Sequence, residues 1–253
     1  MIDPVASKAY DEGHPEPERR IFQSQEFRQV RDVAPRQRYE DLEFRACTFE
    51  HCSIGQTGPD PHQRSFIRNV QFIRCTFKPN DIGPVVMEDV VIERPLLRHG
   101  RAVPFVMGVA LNRVTIRGFV NALWFLIPDD VSVMDRDRGA AMRRWNADFY
   151  STVDWALDIS GAEFTTLDFR PGIPARLVRR DPATQVIIRR DRALEHDWAL
   201  LRLPDPSWNV GLDRFLESGY PDHVFVAEKR NRRFAAQLES IATLRALGVA
   251  LPD

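Results

Sequence analysis

Few residues in this chain have both the type and the spacing for chemistry. Glu195, His196 and Asp197 put an acid, a base and a second carboxylate in a row. Consecutive side chains point apart in regular structure, so the three read as a surface turn. Asp129, Asp130, Asp135 and Asp137 could offer oxygens to a divalent cation. They lack the spacing and glycine of an EF-hand loop and alternate with Arg136 and Arg138, so a charged loop in water is the plainer reading. His51 and His62 are expected to be solvated. Cys47, Cys52 and Cys75 have no CxxC spacing and read as small buried fillers, not as zinc ligands or disulfide partners. There is no GxxxxGK, GxGxxG, HExxH or GxSxG. The sequence thus offers no catalytic residue and implies no metal or cofactor.

What remains is cationic. Arg136, Arg138, Arg143 and Arg144 surround Trp145, and Arg230, Arg232 and Arg233 follow Lys229. These arginines and Trp145 are the candidate binding residues. The second group sits where a helix is expected to begin, near the positive end of its dipole, which is mildly unfavourable. It therefore either finds acidic partners on the rest of the chain or faces a ligand. Trp124, Trp155, Trp198 and Trp208 could serve with Trp145 as stacking platforms, although core packing explains them equally well.

The elements that must position these groups follow an unusual beat. In YEDLEFRACTFEHCSI, apolar residues return at Phe44, Phe49 and Ile54, with Leu42, Cys47 and Cys52 two places before each. A helix needs apolar residues every three or four positions and a flat strand every second. A period of five fits a chain that turns a corner about every five residues, sending two side chains inward on each short side. The beat resumes at Ile67, Phe72 and Phe77, at Met87, Ile92 and Leu97, at Val106, Leu111 and Ile116, and at Ile159, Phe164 and Phe169. Ile67, Met87 and Met107 lie twenty apart and are expected to stack.

Other segments break the beat. Residues 1–20 read as a flexible arm. Met142, Trp145 and Phe149 lie on one side of a helix expected within an insertion over about 128–154. Ala175–Asp191 looks like two strands around Asp181-Pro182-Ala183-Thr184, either a hairpin or two further sides. From 205 to 253 the chain reads as a helical cap. Asp205-Pro206 starts one helix with Trp208, Leu212, Phe215 and Leu216 on a face, and Gly219 stops it. A second is expected from about Glu228 to Leu247, with Phe234, Leu238, Ile241 and Leu244 as its stripe.

The stretches ACTFEHCSI and VQFIRCTF resemble the pentapeptide-repeat family, with a large apolar residue at the centre of each repeat and a small one two before it. The resemblance covers about 39–126 and 155–170 and weakens after Phe77. It implies a mainly β protein, a right-handed parallel β-helix with four sides, here spanning 21–204 and carrying the helical insertion and C-terminal α-helices. The family repeat is structural and implies no catalytic residue.

The 253 residues carry a net charge of −1, which removes the broad electrostatic argument for nucleic acid or an anionic membrane. Only Lys8, Lys78 and Lys229 of the 35 basic residues are lysine, a skew that a GC-rich genome would give without functional cause and that a choice of arginine for forked pairing with carboxylates or phosphates would give too. No apolar run has the length of a membrane span, and a cytoplasmic location is expected. The expected function is a non-catalytic protein-interaction module, such as a bacterial immunity, antitoxin or regulatory binding protein. The first alternative is a DNA mimic that binds a topoisomerase; the second is a β-helix enzyme or carbohydrate binder. The expected partner is another protein, and the C-terminal helices could also pair two copies.

Overall fold

The computed structural model describes residues 18–32, 34–55, 61–98, 105–121, 123–126, 136–169, 172–198 and 200–251. The arm expected over 1–20, apart from its last three residues, and Asp129, Asp130 and Asp135 lie outside them, as do the side chains of Trp124, Arg136, Asp137, Arg138 and Phe169.

Short strands follow one another in sets. The first is β1 (Arg20–Gln23), β2 (Glu26–Arg28) and β3 (Arg31–Asp32); the second is β4 (Arg38–Arg45), β5 (Thr48–Glu50) and β6 (Ser53–Ile54). Next come β7 (Ser65–Ile73), β8 (Thr76–Phe77) and β9 (Asp81–Ile82), then β10 (Val85–Glu93), β11 (Leu96–Leu97) and β12 (Phe105–Met107). After β13 (Ala110–Val120) and β14 (Leu123–Leu126), helix α1 (Arg136–Ser151) precedes β15 (Leu157–Asp158), β16 (Ala162–Phe164), β17 (Leu167–Phe169) and β18 (Val178–Arg179). The C-terminal part holds β19 (Gln185–Arg189), α2 (Arg190–Ala193), α3 (Pro206–Ser218), β20 (Asp222–Val226) and α4 (Phe234–Ala246).

Among the described residues the protein is mainly β, and most strands pair in parallel. One sheet runs β1-β4-β7-β10-β13-β15-β18, a second β2-β5-β8-β11, and a third β3-β6-β9-β12-β14-β17. Parallel neighbours are thus strands from successive sets. Phe44, Phe49 and Ile54 fall in three different sheets yet pack into one core. Phe22, Phe44 and Phe72 stack at 5.1 and 5.2 Å, Phe27, Phe49 and Phe77 at 5.0 and 5.3 Å. The two columns meet edge to face, as at Phe44–Phe49, 5.3 Å. Cys47, Cys52 and Cys75 are free and buried, their thiols directed at the carbonyls of Phe22, Phe27 and Phe44.

Residues with left-handed backbone recur at a fixed spacing. Ser24 and Gln29, then Asp41, Ala46 and His51, then Asn69 and Arg74, then Asp89 and Arg94 all have φ between 47° and 56°, neighbours in each group being five positions apart. Left-handed backbone costs a side-chain-bearing residue about 1 kcal/mol or more. Hydrogen bonds between sets offset this: Ala46 N–H donates to Ile73 O at 2.9 Å, and Arg74 N–H to Glu93 O at 2.8 Å. His51, at one such position, is exposed as expected.

Three expectations need correction. Ile67 pairs with Met87, but Met87 pairs next with Leu111, while Met107 joins the third sheet opposite Leu126. The link from β11 to β12 spans 98–104 where that from β8 to β9 spans only 78–80, and the longer link carries the register on. Second, β18 and β19 do not form a hairpin. β18 extends the first sheet beside β15, whereas β19 pairs antiparallel with β20, so Arg179/Arg180 and Arg189/Arg190 do not oppose each other. Third, α4 starts at Phe234, and 228–233 form turns ahead of it. Asn231 bends the chain there: its N–H donates to Glu228 O, and its side-chain oxygen accepts from Arg233 N–H.

The β19–β20 ribbon separates two cores. Ile187, Val224 and Val226 face the core shared by the parallel sheets. Val186, Ile188 and Phe225 face a second core with Trp208, Leu212 and Phe215 of α3 and Ile241 and Leu244 of α4. This is the two-residue alternation of a strand with both faces covered. The second core therefore begins with β19, ahead of residue 205. Asp205 caps α3 by accepting from Ser207 N–H at 2.9 Å, and Gly219 closes it at φ 75°. On α4 the buried face includes Gln237 and Ser240, which accept the backbone N–H groups of Glu228 and Asp205.

Candidate functional site

A cleft of about 380 Å³ opens where α3, β20 and the turns at 227–233 meet the strand ends at Thr166 and Leu167. Helix α3 supplies Ser207, Val210, Gly211 and Arg214, residues three, four and seven apart that share one face. Gly211 lets the helix lie close to the strand, since a Cβ there would meet the Phe225 ring at 3.3 Å. The floor is aromatic: the Trp208 and Phe225 rings meet at 5.2 Å, and His223 and Phe225 at 5.0 Å. Arg232 and Arg233 line it from the turns that follow the bend at Asn231.

The charges divide into two groups. Glu228 is buried and serves as a tie. Its oxygens accept from Leu167 N–H at 2.7 Å, from the Gln237 amide at 3.3 Å and from the Asn231 amide. Burial raises its pKa, and the three donors oppose the rise. Burial likewise holds the His223 imidazole down to about 3, so it is neutral at pH 7. Asp205 is fully buried beneath the Arg233 guanidinium, 3.5 Å away. Arg214 and Arg232 are exposed and form no ion pair with any described residue. The cleft thus has neutral or engaged groups below and uncommitted cations at its mouth.

The candidate residues named from sequence separate. Arg232 and Arg233 line the cleft. Arg230 is engaged elsewhere, paired with Glu163 at 2.8 Å with its guanidinium 5.9 Å from the Phe119 ring. Lys229 pairs with Asp181 at 3.0 Å. Arg136 and Arg138 are in α1, with side chains outside the described residues; Arg143 and Arg144 are exposed on it. Trp145 stacks on Phe149 at 5.2 Å and receives the buried Arg64 guanidinium at 4.1 Å. Arg64 also donates to Asn146 at 3.0 Å and touches Met142; burial lowers its pKa to about 10. Trp145 therefore helps to dock α1. Arg214, Trp208 and His223 went unrecognised from sequence as parts of one site. Helical spacing places Arg214 beside Trp208 and Gly211, but nothing local brings β20 or Asn231 to them.

Glu195, His196 and Asp197 occupy a turn in which the His196 ring lies 5.8 Å from Trp198. Among the described residues no group of three His, Cys, Asp or Glu could hold a metal ion, and no helix is long and apolar enough to cross a membrane. No known family model and no curated protein matches the chain.

Proposed function

We propose that the three parallel sheets are sides of a right-handed, degenerate β-solenoid of the pentapeptide-repeat kind, and that the chain is a cytoplasmic, non-catalytic module that binds another protein. The left-handed corners five residues apart and the stacked phenylalanine columns support the first part. The second part makes it a binding protein of the immunity, antitoxin or regulatory type. One observation carries it: at the cleft, Arg214 and Arg232 are uncommitted while Glu228 and Asp205 are buried under structural duties. A catalytic cleft needs the reverse, a carboxylate or imidazole free to move a proton near neutral pH. DNA mimicry has less support, because outward Glu50, Glu88, Asp89 and Glu93 are each bound to Lys or Arg. The partner we envisage is a different protein, since the apolar stripes of α3 and α4 are buried in the chain's own second core.

The test is affinity capture from native lysate over a range of salt. The expected result is one partner held in stoichiometric amount and released as salt rises. Recovery of no stoichiometric partner at any salt concentration would overturn the proposal.

A further inference from the structure

We infer that the cleft takes an acidic segment of the partner, with one bulky aromatic side chain seated over the Trp208–Phe225 pair beside Val210 and flanking carboxylates bound by Arg214 and Arg232. This deepens the interaction reading and rests on it.

Three features converge on that occupant. The volume, about 380 Å³, is near the low end for ligand sites and suits one large side chain with its adjoining backbone. The floor sets the Trp208 and Phe225 rings beside the uncharged His223, and the lip stays open, with Val210 51% exposed on α3. Aromatic anchors in such desolvated pockets supply much of the energy of protein interfaces. The two arginines approach from different walls, Arg214 from α3 and Arg232 from the turn before α4. A guanidinium presents a planar fork that binds a carboxylate through two hydrogen bonds. A peptide crossing the mouth can therefore meet a fork from each of two elements.

The floor adds selectivity. His223 is neutral at physiological pH and Glu228 is held by Leu167, Asn231 and Gln237, so neither meets the anchor as an exposed charge. A basic segment would meet only like charge at the rim.

The test uses the full chain and a blocked pentapeptide, Asp-Glu-Trp-Glu-Asp, with its Asn-Gln-Trp-Gln-Asn and Asp-Glu-Ala-Glu-Asp counterparts, followed by calorimetry at low salt. The expected result is saturable binding of the first peptide, at least about tenfold tighter than either counterpart. That binding should weaken at least about tenfold in Arg214→Gln/Arg232→Gln, a loss of about 1.4 kcal/mol. Val210→Glu, which adds a negative charge at the exposed lip, should weaken it as well. All three positions lie at the mouth of the cleft, and circular dichroism checks that each variant is folded. The inference is overturned if the acidic peptide does not saturate, if the amide peptide binds equally well, or if the double arginine variant binds unchanged. If the lysate partner is captured equally by wild type and Arg214→Gln/Arg232→Gln, this inference falls while the interaction reading stands. Failure of capture by both proteins removes the interaction reading itself.

Discussion

Truncation of Phe44 to alanine should be among the most damaging single changes in the parallel-sheet core. Phe44 is 9% exposed and lies between Phe22 and Phe72, stacked at 5.1 and 5.2 Å, with the edges of Phe27 and Phe49 at 5.7 and 5.3 Å. Removing a buried phenylalanine side chain costs about 3–5 kcal/mol, and the loss is larger where neighbours cannot close the gap. Phe22 and Phe72 are held on either side by the pairing of β1 and β7 with β4. The vacancy therefore persists, and Phe44→Ala is expected to cost about 4 kcal/mol. Phe44→Leu keeps most of the volume and should cost about 1–2 kcal/mol, chiefly the lost ring contacts. Urea unfolding followed by far-ultraviolet circular dichroism measures both, with the slope checking that the unfolding transition is unchanged in kind. A double-mutant cycle of Phe44→Leu with Phe72→Leu should give a coupling of about 0.5–1.5 kcal/mol. A Phe44→Ala cost below about 1 kcal/mol, or no coupling with Phe72, would refute the stacked interior and the solenoid proposal with it.

Because burial depresses the His223 pKa to about 3, its contribution to stability is complete above its ordinary value of 6.5 and is lost as pH falls from there. In His223→Phe the stability profile between pH 6.5 and 3 should be flatter than in wild type; parallel profiles by thermal melting would count against this. The Cys75 thiol is pushed up to about 12 by burial, and Cys47 and Cys52 are also enclosed. A thiol reagent at pH 8 should therefore leave all three cysteines unmodified in the native protein and label them in urea; rapid native labelling would contradict the burial. Arg230→Ala should cost about 0–1 kcal/mol by losing an exposed pair with Glu163, while leaving partner affinity unchanged. Arg232→Ala should leave stability unchanged and weaken partner binding, as read by calorimetry with the captured partner.

The repeating interior was legible because it is chemically monotonous. Phe44, Phe49, Phe72 and Phe77 recur against polar residues whose only requirement is to face water, so a one-dimensional beat survives in the chain. α1 and α3 were legible for a similar reason, from stripes at helical spacing and the Asp205-Pro206 start. What failed were relations between distant segments. β19 finds its partner in β20, far along the chain, although a turn signal sits immediately before it. The extra length at 98–104 displaced Met107 without altering its apolar character. Gln237 and Ser240 look like solvent-facing helix residues, yet they are buried because they satisfy the backbone of Glu228 and Asp205. The cleft was least legible, since its parts come from α3, β20 and the Asn231 bend, and Arg230 pairs with Glu163 away from it.

The ribbon of β19 and β20 acts as a party wall, with Val224 serving one room and Phe225 the next. A chain cut just before Gln185 would strip the covering from Val224 and Val226 on one fragment and leave the other ending in a bare apolar surface. Neither piece is a natural stopping point for folding. Heat or denaturant should accordingly melt the sheets and the helical end in one transition, and a fusion junction belongs outside this wall.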